Sequence, residues 1–281
     1  MPEAEVSAAS RHVGCSLDLE VAEGGCTLVL QIAPARPAEV TDEELVVELH
    51  GAAVAATEVA AAHGGRAHVV RAGAGPLTVR YQASVIPAPP NEEVEPADDT
   101  ADPDALEHLR QSRYAPSDAL VAFAERELGE LPGGPARAGA VAGWVFERLR
   151  YVIGSSGPLD TAVDTLLAGV GVCRDFAHLT TALCRAQEIP ARLVAVYAPG
   201  LYPMDFHAVV EARVEGRWQV LDATRLAPRG ALVRIATGRD AADTAFVSTF
   251  HGRADLVRSE VRAVIDGDLP ADDHVSPMRL P

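Results

Sequence analysis

The 281-residue chain contains no lysine; all 24 of its basic residues are arginine. That absence excludes a P-loop lysine on a nucleotide phosphate and a Schiff-base lysine holding pyridoxal phosphate. If the protein joins acyl groups to amines, its own side chains offer no lysine as acceptor. Cysteine is scarce too, with four residues at positions 15, 26, 173 and 184 and no C-x-x-C among them. A redox or zinc-type framework therefore has no support in the spacing. No run of about 18 apolar residues suggests a membrane span. The segment Met1-Pro-Glu-Ala-Glu lacks the apolar stretch of a secretory signal. The expectation is a cytoplasmic protein with reduced thiols. A net charge of −16 leaves little basic surface for nucleic acid or anionic membrane, so neither is expected as a partner.

What is present is a globular composition, 48% hydrophobic and 23% charged, and length enough for two domains. Residues 13–33 alternate with a period of two: Leu17, Leu19 and Val21 interleave with Ser16, Asp18 and Glu20. Glu23-Gly24-Gly25 marks a turn between two strands. Further strands are expected at Glu44–His50, Ala67–Val70 and Leu77–Ile86, while Ala52–Ala62 fits helix or strand. This pattern suggests an antiparallel β-sandwich over residues 1–88. His50, His63 and His68 read as surface or turn residues, since no carboxylate or cysteine accompanies them at ligand spacing. The proline-rich acidic stretch 89–111 reads as a solvated linker.

Residues 112–281 begin with helices. Pro116-Ser117-Asp118 precedes an apolar stripe of Leu120, Phe123, Ala124 and Leu128. A second helix opens at Pro135 and buries Ala138, Val141, Val145 and Leu149, with Trp144 read as core packing or a groove wall. Asp160 is the expected cap of a short helix ending at Gly169. Then comes Gly169-Val-Gly-Val-Cys173-Arg-Asp-Phe-Ala-His, a glycine-rich turn into a helix that Pro190 closes. A thiol at a helix N-terminus meets the positive end of the peptide dipoles, which favours thiolate, although Asp175 in the same turn opposes it. Cys184 lies within the helix as an inert core thiol. Strands return at Ala191–Tyr197, Phe206–Val214 and Arg217–Thr224. Another is expected near Ala245–Thr249, the last at Val257–Ile265, and a loose tail from Leu269. The loop Ala198–Asp205, with Tyr197, Tyr202 and Phe206, is the candidate groove wall.

A nucleophilic Cys173 needs a base and an orienting group, and His207 and Asp222 are the candidates. If Glu215-Gly216 is a two-residue hairpin loop, Val214 faces Arg217, Val209 faces Asp222 and His207 faces Thr224. His207 and Asp222 then lie diagonally on one face, about 7–8 Å apart along the backbone. A slip of one residue would separate them. Singly, each has a plainer reading: a structural thiol, a packing histidine, a turn aspartate. The order Cys…His…Asp in a helix-then-hairpin context is what points to chemistry.

Three stretches, Gly171-Val-Cys173-Arg-Asp-Phe-Ala-His, Asp205-Phe-His207-Ala and Leu221-Asp222-Ala-Thr224, resemble the three motifs of the transglutaminase-like superfamily. The resemblance is closest to its bacterial transglutaminase-like cysteine proteinases. Ser112-Arg-Tyr114 and Gly238-Arg-Asp-Ala-Ala-Asp243 are similar to further stretches of those proteins. The likeness spans residues 112–252, and residues 13–86 look like the β-rich region that accompanies the domain. It implies an α+β, papain-like core with Cys173 as nucleophile, His207 as base and Asp222 as its partner, acting on a peptide or protein amide. It implies no cofactor and no metal. Two positions depart from the family: Val209, where a large aromatic is common, and Ala223, where Pro is common. Three readings stay open: hydrolysis of an amide or isopeptide bond, transfer of the acyl group to an amine, and a non-catalytic module that keeps the fold.

Overall fold

The computed structural model describes residues 9–87 and 102–280. The first part is strand but for one 3-10 turn at Ala62–Gly64: β1 (Arg11–Val21), β2 (Cys26–Leu30), β3 (Glu39–Leu49), β4 (Ala52–Ala53), β5 (Ala56–Ala60), β6 (Arg66–Ala72) and β7 (Gly75–Ile86). The second is mixed: α1 (Pro103–Glu107), α2 (Val121–Leu128), α3 (Arg137–Arg148), β8 (Arg150–Tyr151), α4 (Ala162–Ala168), β9 (Val170–Gly171) and α5 (Cys173–Ala186). It continues with β10 (Ala191–Tyr197), β11 (Phe206–Val214), β12 (Arg217–Leu221), β13 (Val233–Gly238), α6 (Ala241–Thr244), β14 (Val247–Phe250) and β15 (Ala254–Ile265). The fold is α+β, as expected.

Two antiparallel sheets, ordered β15-β1-β7-β3-β4 and β14-β2-β6-β5, share one hydrophobic core. The period of two in β1 explains its place. Val13, Cys15, Leu17, Leu19 and Val21 are buried, whereas Glu20 is exposed. A third sheet, β12-β11-β10-β13, carries the helices. Phe176, Leu179 and Leu183 of α5 pack with Val141 and Val145 of α3 and with Leu193, Val210 and Ala212 of the sheet. Each such large side chain contributes about 1.5–3 kcal/mol of burial. Every residue of α5 from Asp175 to Ala186 is buried, so this helix is the axis of the second core.

Several expectations need correction. Pairing does not follow the division at residue 112. β15 runs antiparallel to β1 from Arg11↔Ile265 to Val21↔Ala254, and β14 pairs with β2. The last strands therefore complete the sandwich, because β1 and β2 would otherwise each present an open edge. Most of the expected linker lies outside the described residues, but its end is α1, capped by Asp102. The ambiguous 52–62 segment is strand (β5) followed by a turn. The short helix α4 is capped by Thr161, whose hydroxyl and Asp164 form a capping box; Asp160 instead accepts the Gly157 N–H at 2.6 Å. The tail is packed rather than loose. Met278 and Leu280 are buried, Val220 donates its N–H to the Met278 carbonyl, and the buried Arg229 pairs with Asp272 at 2.7 Å.

The sandwich and the helical half share core residues. Tyr197 of β10 is fully buried and donates its hydroxyl to the Ile32 carbonyl at 2.7 Å. Phe206 at the start of β11 stacks on Phe246 at 4.6 Å. The strand that carries His207 is thus braced from the sandwich side.

Candidate active site

Cys173 is the first residue of α5 and half-buried. The turn before it is tight for a physical reason. A side chain on Gly171 would place its Cβ 2.7 Å from the Asp175 Cβ, inside contact distance. Asp175 is held there because its carboxylate accepts the Val172 N–H at 2.8 Å and the Ser156 hydroxyl at 2.8 Å. The carboxylate that seemed to oppose a thiolate is thus spent on capping the helix. Gly171→Ala should force the turn open. Expected are a loss of about 1–3 kcal/mol in urea titration and slower alkylation of Cys173; unchanged values for both would contradict this picture.

The hairpin register is as the two-residue loop requires. Val214 pairs with Arg217, and Glu215 and Gly216 both have positive φ, 51° and 75°. The consequence is a hydrogen bond of 3.0 Å between His207 Nε2 and Asp222 Oδ2. Both residues are buried. The second oxygen of Asp222 accepts the Thr224 N–H at 2.8 Å and its hydroxyl at 2.7 Å, which fixes the carboxylate plane. This accounts for the Asp222-Ala-Thr224 spacing as a side-chain-capped turn. With Nε2–H given to Asp222, Nδ1 is left bare and buried without a partner, and the Cys173 sulfur stands 4.0 Å from the carbonyl of Phe206, the residue before His207. Burial alone would push the imidazole down. The Asp222 charge and hydrogen bond, then Cys173, outweigh it and raise the ring to about 10. Asp222 moves the opposite way: burial pushes its carboxyl up, and His207 and Thr224 bring it below the ordinary value.

One group at the site has no signal in the sequence. β8 pairs in parallel with β9, placing Tyr151 opposite Gly171. The Tyr151 ring packs against Phe176, one turn along α5, at 6.0 Å between centroids, which sets it beside the start of that helix. Nothing in the two-residue stretch Arg150-Tyr151 foretells this, because the contact depends on a strand pairing too short to show a period.

The two lesser motifs meet behind the central helix. His178 is fully buried, stacks on Tyr114 at 5.1 Å and 8°, and accepts the Ala241 N–H at 3.2 Å. Burial, only partly countered by Asp240, lowers its ring to about 3, so it stays a neutral acceptor. Asp240 accepts the Tyr114 N–H at 2.8 Å, and Arg185 donates to the Ser112 hydroxyl and the Arg239 carbonyl. Ser112-Arg-Tyr114 and Gly238–Asp243 are thus a single clamp on α5.

Other expectations resolve as packing. Trp144 is half-buried, edge-to-face on Phe123 at 5.7 Å. Of the groove-wall aromatics, Tyr197 is core and Phe206 packs on Phe246, whereas Tyr202 is 91% exposed. Val209 and Ala223, the two departures, are both buried. Cys184 is buried and its thiol is pushed up to about 12 by that burial. His50 and His63 sit in turns with positive φ, and His68 is buried in β6. His63 does meet carboxylate and imidazole, from Asp104 and His108, with donor atoms within 4.8 Å of one another. But Arg192 Nη1 stands 3.4 Å from His63 Nδ1 and 3.3 Å from Asp104 Oδ2, so a guanidinium already occupies the charge position.

Residues 122–223 match the model of the transglutaminase-like superfamily core. A solved structure from Cytophaga hutchinsonii, proposed to be a cysteine protease, is 33% identical, with a TM-score of 0.85 over 96% of each chain. An uncharacterized protein of Mycobacterium leprae is 35% identical over 111 residues, 40% of this chain and 38% of that relative, so the match spans well under half of its length. The periplasmic domain of TgpA from Pseudomonas aeruginosa is 19% identical, with a TM-score of 0.39 over 79% of this chain and 91% of that one. Motif spacing, helix-then-hairpin geometry, and a full-length relative at this identity together place the chain in the transglutaminase-like superfamily.

Proposed function

We propose that the protein is a thiol-dependent hydrolase of amide or isopeptide bonds in peptides or proteins, working through a thioester on Cys173. The observation that supports it most is the buried His207, bonded to Asp222 through Nε2 with Nδ1 unpartnered, next in the chain to the Phe206 carbonyl that the Cys173 sulfur approaches at 4.0 Å. Cys173 gives its proton to Nδ1, and the sulfur adds to the amide carbon. Asp222 holds the ring and favours the imidazolium. The ring then protonates the departing amine, and water releases the acid. An amine in place of water would make the same acyl-enzyme a transferase. The proposed setting is the cytoplasm, where the four free cysteines stay reduced. Among the described residues no helix is long and apolar enough to cross a membrane.

Iodoacetamide labelling tests the reading without a known substrate. Cys173 should react faster than a simple thiol at about pH 5, where an ordinary thiol is protonated. Labelling no faster than a simple thiol, and unaffected by His207→Ala, would rule the reading out. The sign of the Asp222 effect follows from its charge. Asp222 raises His207, so Asp222→Asn lowers the ring, weakens the thiolate–imidazolium pair and slows this acidic labelling. In turnover, the alkaline limb set by loss of the imidazolium near 10 should move to lower pH in Asp222→Asn, with residual activity. A limb that stays in place would contradict the role of Asp222. Competition between water and a labelled amine for a glutamine-containing peptide separates hydrolysis from transfer.

A further inference from the structure

We propose that Ser84, His12 and Asp266 form a second hydrolytic site, on the outer face of the sandwich, that cleaves small carboxylic esters with Ser84 as nucleophile. The strand register builds it. β1 lies between β7 and β15, and His12 pairs directly with Ser84 on one side and with Val264 on the other. Residues two apart share a face, so Asp266, two beyond Val264, stands diagonal to His12. Its N–H bonds to the Ser10 carbonyl at 2.9 Å, which holds it beside β1 just past the end of β15. The side chains meet in a line. Ser84 Oγ lies 3.1 Å from His12 Nδ1, and Asp266 Oδ1 lies 3.1 Å from Nε2. With Nε2–H donated to Asp266, Nδ1 accepts from the Ser84 hydroxyl. Nucleophile, base and orienting carboxylate thus stand in hydrogen-bonded sequence. None of Cys173, His207 and Asp222 takes part.

Ser84 and His12 line a cavity of about 860 Å³ in which a substrate can lie. Gly14 carries no side chain, so the floor is open between Arg262 and Gln82, its partners on either side. Arg262 lines the cavity and makes no side-chain hydrogen bond or ion pair among the described residues. Arg80, the other arginine there, is taken by Glu48. By strand spacing the Arg262 backbone is about 12 Å from that of Ser84. An arginine side chain reaching over Gly14 narrows that gap to the size of an acyl group. In the reaction, Ser84 Oγ adds to the ester carbonyl carbon as its proton passes to His12 Nδ1. The C=O π pair moves onto oxygen, beside the Arg262 guanidinium. That pair then returns, the bond to the alkoxide breaks, and His12 gives the alkoxide its proton. Water repeats the sequence on the acyl-serine, releasing the acid and restoring the hydroxyl. The side chains of His12 and Asp266 are 45% and 63% exposed, so solvent screens their pairing. Such a base suits an ester, whose alkoxide leaves readily, and not an amide.

The test uses the full-length Cys173→Ala protein, which removes the thiol of the candidate site, so its outcome is independent of the acyl-enzyme reading above. An alkyl fluorophosphonate should phosphonylate Ser84 with loss of fluoride, read by mass spectrometry on the peptide that contains it. The same protein should hydrolyse 4-nitrophenyl acetate. Ser84→Ala and His12→Ala should each slow release of 4-nitrophenol about a hundredfold. Arg262→Met should slow it about tenfold, less than the loss of a donor in a dry site. Ser84 faces outward from β7, so Ser84→Ala should keep the urea midpoint of its parent. An unlabelled Ser84 in the parent overturns the proposal, whatever the variants do. Turnover unchanged by Ser84→Ala also overturns it, and if His12→Ala alone slows the reaction, the imidazole is the nucleophile. Phosphonylation of Ser84 at the parent's rate in His12→Ala overturns it too, since the hydroxyl would then owe nothing to its base.

Discussion

Cys173→Ala should reduce turnover by about 10⁴–10⁶-fold while leaving the fold intact, and His207→Ala should cost about as much. The two losses should not add. Attack needs sulfur and base together, so once either is gone the other has nothing to act on. The double variant should therefore be no slower than the worse single variant. Cys173 is half-buried at the first position of α5 and supplies little of the core, so an alanine there leaves the Phe176–Leu183 packing untouched. Turnover of an amide substrate by the Cys173→Ala protein at the wild-type rate would refute the mechanism. Additive losses would mean that the two residues act in separate steps.

Glu211→Gln should unfold far more easily than wild type, by about 3–5 kcal/mol at neutral pH. Glu211 lies on β11, four residues after His207, and is buried. Arg234 holds it with two hydrogen bonds of 2.6 and 2.9 Å, and Arg192 adds one of 2.9 Å. Removing its charge leaves two guanidinium groups in the interior, with Arg192 also pinned 3.9 Å over the Trp218 ring. Burial pushes the carboxyl up, but Arg234 and Arg192 outweigh it and hold it at about 2. Its folded value is thus below the unfolded value of about 4.3. The stabilisation is present above that value and lost as pH falls toward 2. Urea midpoints should therefore differ widely between Glu211→Gln and wild type at pH 7, and the gap should close in acid. A gap that is the same in acid and at neutrality would show that the pair is not the cause.

The fates of particular residues mark what could be read from the sequence. The His207–Asp222 contact follows from two local facts, a two-residue loop and the period of two, and both are written in adjacent residues. The stripes of α3 and α5 were legible for the same reason. What escaped depends on partners distant in the chain. Only the end of β15 alternates, with Val261 and Ala263 buried, and nothing in Ala254–Ile265 names β1 as its neighbour. The tail from Leu269 is rich in proline and acid, yet one buried Arg229 gives Asp272 a partner and turns it into packed structure. Thr161 took the cap expected of Asp160 because both residues suit the role and only geometry chooses. Tyr151 and the meeting of His63 with Asp104 and His108 were invisible because each joins segments with no shared pattern.

The pairing of Arg11 with Ile265 has a consequence for how the chain is made. A ribosome delivers β1 well over two hundred residues before β15, so until β15 is made β1 has only β7 beside it. Likewise β2 must wait for β14. Two strand edges, apolar on one face, are left open in the nascent protein, and open edges recruit other chains. The sandwich therefore closes only after the second core has been synthesised. A chain cut short before Val247 would carry every residue of the candidate site and yet emerge with both of these edges unpaired.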